Sequence, residues 1–222
     1  PCMSSGPKRK SGTNSRAVSR RWLVGRPVWP SKPLPERRAS HGRQGRRVDS
    51  AIQITPATLA DLPDLLRLEE ACFSAPWTRK MLEAELTGNQ FAHFLVARET
   101  AKTATTDGPI VGSLCFWIVF EEVRLMNLAV AEEMRRRGIG AALVDVALRT
   151  GLTQAATRAV LEVRASNRAA LALYQRFGFT QVSIRPTYYS NPVEDAVLME
   201  MEPIVIPAGS GRSAAPVNEG GS

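Results

Sequence analysis

The chain has 222 residues, 44% of them hydrophobic, and a formal net charge of +8 at pH 7. That length and apolar content suit one ample globular core and exclude a disulfide-stapled miniprotein, since only three cysteines are present and none forms a C-x-x-C pair. The charge is lopsided: residues 1–50 carry 13 Lys and Arg against two acids, whereas residues 51–222 carry 16 against 19, so the basic character belongs to the N-terminal segment.

Residues 1–50 have neither a helical nor a strand period and are dense in Arg, Ser, Pro and Gly. Such a segment buries too little apolar surface to offset its ordering entropy and is expected to be a disordered basic extension. Three readings of it stay open: an organelle transit peptide, an arm for nucleic acid or the ribosome, or a functionless stretch ahead of a true start near Val48. Residues 204–222, ending in PAGSGRSAAPVNEGGS, are expected to be a polar tail, leaving a folded domain over 51–203. The longest apolar run, at 110–120, falls short of the roughly 20 residues a bilayer needs, so a cytoplasmic protein with no membrane contact is expected. His41 and His93 stand alone, and no metal site is expected.

In chain order, IQIT at 52–55 reads as a short strand, and ADLPDLLRLEEACF at 60–73 places Leu62, Leu65, Leu66, Leu68 and Phe73 at helical spacing. Thr78 caps a second helix, TRKMLEAELTG, that Gly88 closes. Three strands follow: 93–99, then, after a turn at Asp107 and Gly108, 110–120, then VRLMNLAV at 123–130. A glycine turn leads into the helix IGAALVDVALRT, expected to stop at Gly151. A strand RAVLEVRA, a helix NRAALALYQRF between the N-cap Asn167 and the C-terminal Gly178, and strands near 180–185 and 196–201 complete the domain. The predicted order is β-α-α-β-β-β-α-β-α-β-β, an α/β (α+β) mixed sheet in which antiparallel strands lead into one parallel β-α-β unit.

The turn RRRGIGAAL at 135–143 is the most chemically specific feature. A strand, a glycine-rich loop and a helix N-terminus form an anion site, because unpaired N–H groups point outward and the helix dipole adds positive charge. The Walker pattern G-x-x-x-x-G-K-S/T is absent. The dinucleotide fingerprint G-x-G-x-x-G fits Gly138 and Gly140 but fails at Leu143, although Glu162 stands about 20 residues on, as a ribose-binding acid would.

These residues carry a resemblance. RRRGIGAAL after MNLAV resembles the acyl-CoA pyrophosphate loop of the GNAT N-acetyltransferase superfamily: Gln or Arg, two residues, Gly, one residue, then Gly or Ala, met here by Arg135, Gly138 and Gly140. LEVRASNRAALALYQRFGF at 161–179 closely resembles the RimI branch, the ribosomal-protein alanine N-acetyltransferases. YYSNPVEDAVLME resembles that branch's closing hairpin and CFSAPWT its acceptor-side loop. The likeness covers about 52–203 in the expected order.

The resemblance implies the GNAT acyl-CoA N-acyltransferase fold and acetyl-CoA as cosubstrate. It implies Glu162 as general base and Tyr174 as general acid, because acetyl transfer to an amine needs a neutral nucleophile and a proton for the departing thiolate. Leu128, Ala129 and Val130 would offer backbone groups to the acetyl carbonyl and pantetheine; Arg135, Arg136, Arg137, Gly138, Ile139, Gly140, Ala141 and Asn167 would bind CoA; Trp77, Tyr188, Tyr189 and Asp195 would meet the acceptor. Each has a plainer reading: Glu162 as an ordinary strand acid, Tyr174 as a core aromatic, Asn167 as a helix cap, Arg136 and Arg137 as solvated surface, and the acceptor set as packing. Glu162 is flanked by Val160, Leu161 and Val163, which points to apolar surroundings for its carboxyl. The expected activity is acetylation of a protein N-terminal α-amine, most closely the N-terminal alanine of a small-subunit ribosomal protein. Two alternatives remain, a GNAT enzyme for a small-molecule amine or a lysine, and a non-catalytic protein tethered to RNA by its tail. The domain itself is not expected to bind nucleic acid, and no oligomeric state follows from the sequence.

Overall fold

A computed structural model describes residues 51–100 and 108–207. The segment 1–50, most of the tail expected at 204–222, and the turn residue Asp107 lie outside the described residues.

The elements run β1 (Ala51–Pro56), α1 (Leu62–Cys72), α2 (Arg79–Glu83), β2 (Ala92–Thr100), β3 (Ile110–Val119), β4 (Glu122–Val130), α3 (Ile139–Thr153), β5 (Arg158–Arg164), α4 (Arg168–Phe177), β6 (Thr180–Ser190) and β7 (Val193–Met201). This is the predicted order. The seven strands form one sheet, β1-β2-β3-β4-β5-β7-β6. β4 and β5 pair in parallel and every other neighbour is antiparallel.

Strand alternation sorts the core onto two faces. Leu95, Leu114, Phe116, Leu125 and Leu161 pack with Leu143, Val144 and Leu148 of α3. Phe94, Val96, Cys115 and Ala129 pack with Leu62, Leu65 and Leu68 of α1 and Leu82 of α2. The α1 and α3 sides of the sheet are therefore distinct, and the site uses both.

Local chemistry accounts for most boundaries. The Thr78 side chain accepts from Met81 N–H and starts α2, which widens into a π-type turn over Ala84–Gly88. Asn167 accepts from Ala170 N–H and starts α4, and Gly178 ends it at φ 99°.

Three expectations are corrected. α3 does not stop at Gly151 but runs on to Thr153, with Gly151 buried inside it. A Cβ there would lie 2.1 Å from Val123 Cγ2, so the glycine serves close approach of helix to strand and not chain termination. β6 and β7 extend beyond 180–185 and 196–201 to form a long hairpin, because ladder bonds resume at Tyr189–Glu194 and Ser190–Val193 after an interruption beyond Arg185. Past β7 the chain stays on the core through Ile204, which is buried and donates its N–H to Thr157 O at 2.9 Å, and Ile206, which packs against it, beyond the boundary expected at 203.

Candidate active site

The parallel pairing of β4 with β5 is short. It joins Glu122–Arg158, Val123–Ala159, Arg124–Val160 and Leu125–Leu161, and no further pair follows, although β4 continues to Val130 and β5 to Arg164. The cause lies in β4, where the register against β3 slips between Cys115–Asn127 and Phe116–Leu125, leaving Met126 as an extra residue. A bulge bends its own strand and raises its twist, so β4 turns away from β5 and a wedge opens between them. Ala131 N–H donates to Val111 O of β3, and alternation along β4 turns the peptide groups of Leu128 and Val130 toward the wedge, with Ala129 facing β3.

At the end of β4 stands the glycine turn. Ala142 N–H bonds to Gly138 O as the first helical bond of α3, which leaves the N–H groups of Ile139, Gly140 and Ala141 without an intrahelical partner. Gly138 adopts φ 88° and a Cβ there would meet nothing within 4 Å, so the glycine supplies the left-handed conformation beside open space. At Gly140 a Cβ would lie 3.5 Å from Leu173, 3.7 Å from Val130 and 3.8 Å from Leu128, so β4, α3 and α4 converge there. Ile139 is buried and anchors the turn in the core, and Ala141 packs against that core. Arg135 bends back so that its Nε donates to Val130 O at 3.1 Å. Arg136 (φ 59°) and Arg137 are exposed and, among the described residues, their side chains make no ion pair. Phosphate chemistry thus finds three free N–H groups, a positive helix end and two uncommitted guanidiniums.

Glu162 is the first residue of β5 beyond the paired stretch. It shares a face with Arg164, opposite the α3-facing Leu161 and Val163. Its carboxylate is not in apolar surroundings: Arg185 Nη1 stands 2.7 Å from Oε1, and the Tyr188 hydroxyl donates to it, which raises the Tyr188 pKa. The expectation drawn from flanking valines and leucine fails because Leu161 and Val163 point to the other face, which leaves only Val160 on the face of Glu162, and the polar partners arrive from β6. Arg185 is still in the ladder opposite Ala196 and shares the face of Glu162 by alternation, whereas Tyr188 lies in the break that follows, with Thr187 at φ 51° and its N–H held by Asp195 Oδ1 at 2.8 Å. Asp195 therefore shapes this segment of the hairpin.

Tyr174, two turns into α4, is buried edge-on against Phe179, and burial pushes its phenol well above the usual tyrosine value, so it holds its proton at neutral pH. The nearby Tyr189 acts in the same direction. Asn167 is exposed at the helix start with its side chain engaged in capping.

On the α1 side, the loop after α1 and the β6–β7 hairpin are tied reciprocally: Ser74 Oγ donates to Asn191 O at 2.7 Å and Asn191 Nδ2 to Ser74 O at 3.0 Å. Arg164 donates to Asn191 O and Pro192 O, pairs with Glu194 and lies 4.1 Å over the Tyr189 ring. Tyr188 meets Tyr189 edge-on, their centroids 5.1 Å apart. Trp77 packs against the α1 core and its backbone N–H donates to Glu69 at 3.0 Å. Glu69, Ser74, Asn127, Arg164, Arg185 and Asn191 were not singled out from sequence. Glu69 had a legible signal, an acid on the apolar stripe Leu62, Leu65, Cys72 of α1; the others reveal themselves only through contacts between distant segments.

The sequence profile of the Acetyltransferase (GNAT) family matches residues 62–179. The chain belongs to the GNAT acetyltransferase family. This acetyltransferase is similar, at 34% identity over 141 residues, to a relative from Bacillus subtilis, spanning 64% of the chain and 89% of the relative. It is 33% identical over 150 residues to the ribosomal protein bS18-alanine N-acetyltransferase of Salmonella typhimurium, spanning 67% and 95% of the two chains. Its fold resembles the crystal structure of the ribosomal-protein-S18-alanine N-acetyltransferase of Escherichia coli, with TM-score 0.60, 28% identity, and 70% and 96% of the two chains covered. Among the described residues of this acetyltransferase, no helix is long and apolar enough to cross a membrane.

Proposed function

We propose that this acetyltransferase moves the acetyl group of acetyl-CoA to the N-terminal α-amine of a protein, specifically the N-terminal alanine of a small-subunit ribosomal protein. Two relatives carry that activity in their names. The observation that carries the reading is the double hydrogen bond between Ser74 and Asn191, which joins the acceptor loop to the hairpin. Arg164, two residues along β5 from Glu162, fastens the same hairpin. An acceptor that must pass a closed strap fits end-on as a chain terminus. A mid-chain lysine would have to bring two flanking arms with it.

Acetyl-CoA fits the residues present, and supplies an activated thioester. The N–H groups of Ile139, Gly140 and Ala141, with Arg136 and Arg137, would hold its pyrophosphate, while the Leu128 and Val130 peptide groups would line its arm and Asn167 would stand at the start of α4. Glu162 takes the amine's proton, oriented by Arg185 and Tyr188. Tyr174, kept protonated by burial, gives a proton to the sulfur. An α-amine near pKa 8 costs about 1.4 kcal/mol to deprotonate at pH 7 against about 4.6 for a lysine, so one partly buried carboxylate suffices for the first. Trp77, Tyr188, Tyr189 and Asp195 border the acceptor side, and the bulk of the three rings favours a small first residue.

The test is incubation of the chain with acetyl-CoA and a peptide that begins with alanine and contains lysine, followed by tandem mass spectrometry. Acetyl on the α-amine is the expected result. Acetyl mainly on lysine, or turnover of small amines alone, overturns the reading. The boundary at residue 51 is tested alongside, since a chain starting at Ser50 should match the full chain on the same peptide.

A further inference from the structure

Glu69 lies outside the catalytic pair yet carries one of the least exposed carboxyls among the described residues, at 2%. No cation faces it. Oε2 accepts the Trp77 backbone N–H at 3.0 Å and Oε1 accepts Asn127 Nδ2 at 2.9 Å. Desolvation pushes its pKa above the ordinary carboxyl value, and the two hydrogen bonds oppose that push. A buried carboxylate without a counter-ion is costly to keep, and an apolar residue on the same α1 stripe would pack at no such cost. What the carboxylate joins explains its presence. Trp77 closes the loop that Ser74 straps to the hairpin, and Asn127 directly follows Met126, the extra residue that swings β4 off β5. One side chain therefore spans the acceptor loop and the bulge that opens the wedge.

We infer that Glu69 is a positioning residue for the transfer, a two-armed tie that holds the acceptor loop at Trp77 in register with the bulged segment of β4 at Asn127. Both oxygens are engaged and solvent is excluded, so Glu69 does not carry the amine's proton. Its action is on where the acceptor amine comes to rest relative to the peptide groups of Leu128 and Val130. The inference rests on the peptide-acceptor reading above.

The donor direction of the tie supplies the test. In Glu69→Gln the amide oxygen still accepts from Trp77, and the Asn127 amide can turn so that its oxygen accepts from the new NH2 group. This variant should stay within about threefold of the unaltered chain in kcat/KM for the peptide, the tolerance expected of a preserved contact. Asn127→Asp sets two carboxylates against each other and should lower peptide kcat/KM by roughly 10- to 100-fold. The double variant E69Q/N127D again pairs an amide with a carboxylate and should recover to within about threefold. The defect should appear in kcat and in KM for the peptide while KM for acetyl-CoA holds, measured below each variant's melting midpoint.

If Asn127→Asp does not fold, Asn127→Ala removes a single arm and should lower peptide kcat/KM by about tenfold, still with E69Q near normal. A double variant as impaired as N127D alone overturns the inference. So does a variant whose folded fraction has normal kcat and KM, since that is a stability role only. A loss in E69Q as deep as in Glu162→Gln would make Glu69 a proton carrier and also overturn it. Absence of α-amine acetylation by the unaltered chain would fail the peptide reading, whereas equal peptide rates in all variants would fail only this inference.

Discussion

On the α3 side of the wedge, the groups offered to an anion come from one continuous stretch, 135–141, and most are backbone N–H. On the α1 side, the groups come from separate segments, at Glu69, Ser74–Trp77, Asn127, Glu162 and the β6–β7 hairpin, and nearly all act through side chains. The first side is set by a local conformation, φ 88° at Gly138 and a helix start. The second exists only when distant segments are in register. A ligand common to a whole family can be held by a local motif, whereas the acceptor is chosen by contacts that change with every loop.

The largest expected break in this contrast is at the point where the sides meet. Glu162→Gln should lower kcat by roughly 10² to 10⁴, with Tyr174→Phe nearer the low end, while calorimetric affinity for acetyl-CoA stays unchanged. Near-normal turnover in both variants would remove these two from the chemistry. Next is the paired base on which both sides stand. Gly151→Ala drives a methyl into Val123 and should cost about 1–3 kcal/mol in denaturant unfolding without altering kcat of the folded enzyme.

Gly138→Val sharpens the contrast from the α3 side. It strains the left-handed turn and fills the open space before it, and should weaken acetyl-CoA binding at least tenfold, about 1.4 kcal/mol, by calorimetry, while Gly140→Ala, whose methyl makes ordinary contacts, should not. The smallest effect is a pH dependence on the α1 side. Burial raises the Glu69 pKa above 4.5, so its contribution to stability is full below the unfolded value and is lost as pH rises through the folded one. The melting midpoint of Glu69→Gln relative to the unaltered chain should therefore climb as pH rises from about 4.5, and a difference flat with pH would remove the desolvated charge.

The sequence by itself determined the element order, the caps at Thr78 and Asn167, the glycine turn and, by resemblance, the family, because each rests on residues adjacent in the chain and on periods of 2 and 3.6. It misjudged Gly151, since a glycine that ends a helix and one that lets a strand approach look alike until Val123 is found against it. The wedge itself was illegible: nothing in VRLMNLAV marks Met126 as the extra residue, because a bulge is a mismatch between two strands and belongs to neither alone. The surroundings of Glu162 were likewise decided by tertiary structure. Its neighbours in sequence are apolar, but Arg185 and Tyr188 reach it from β6, across a strand order in which β7 lies between β5 and β6, Arg185 from the ladder and Tyr188 from the break that follows it.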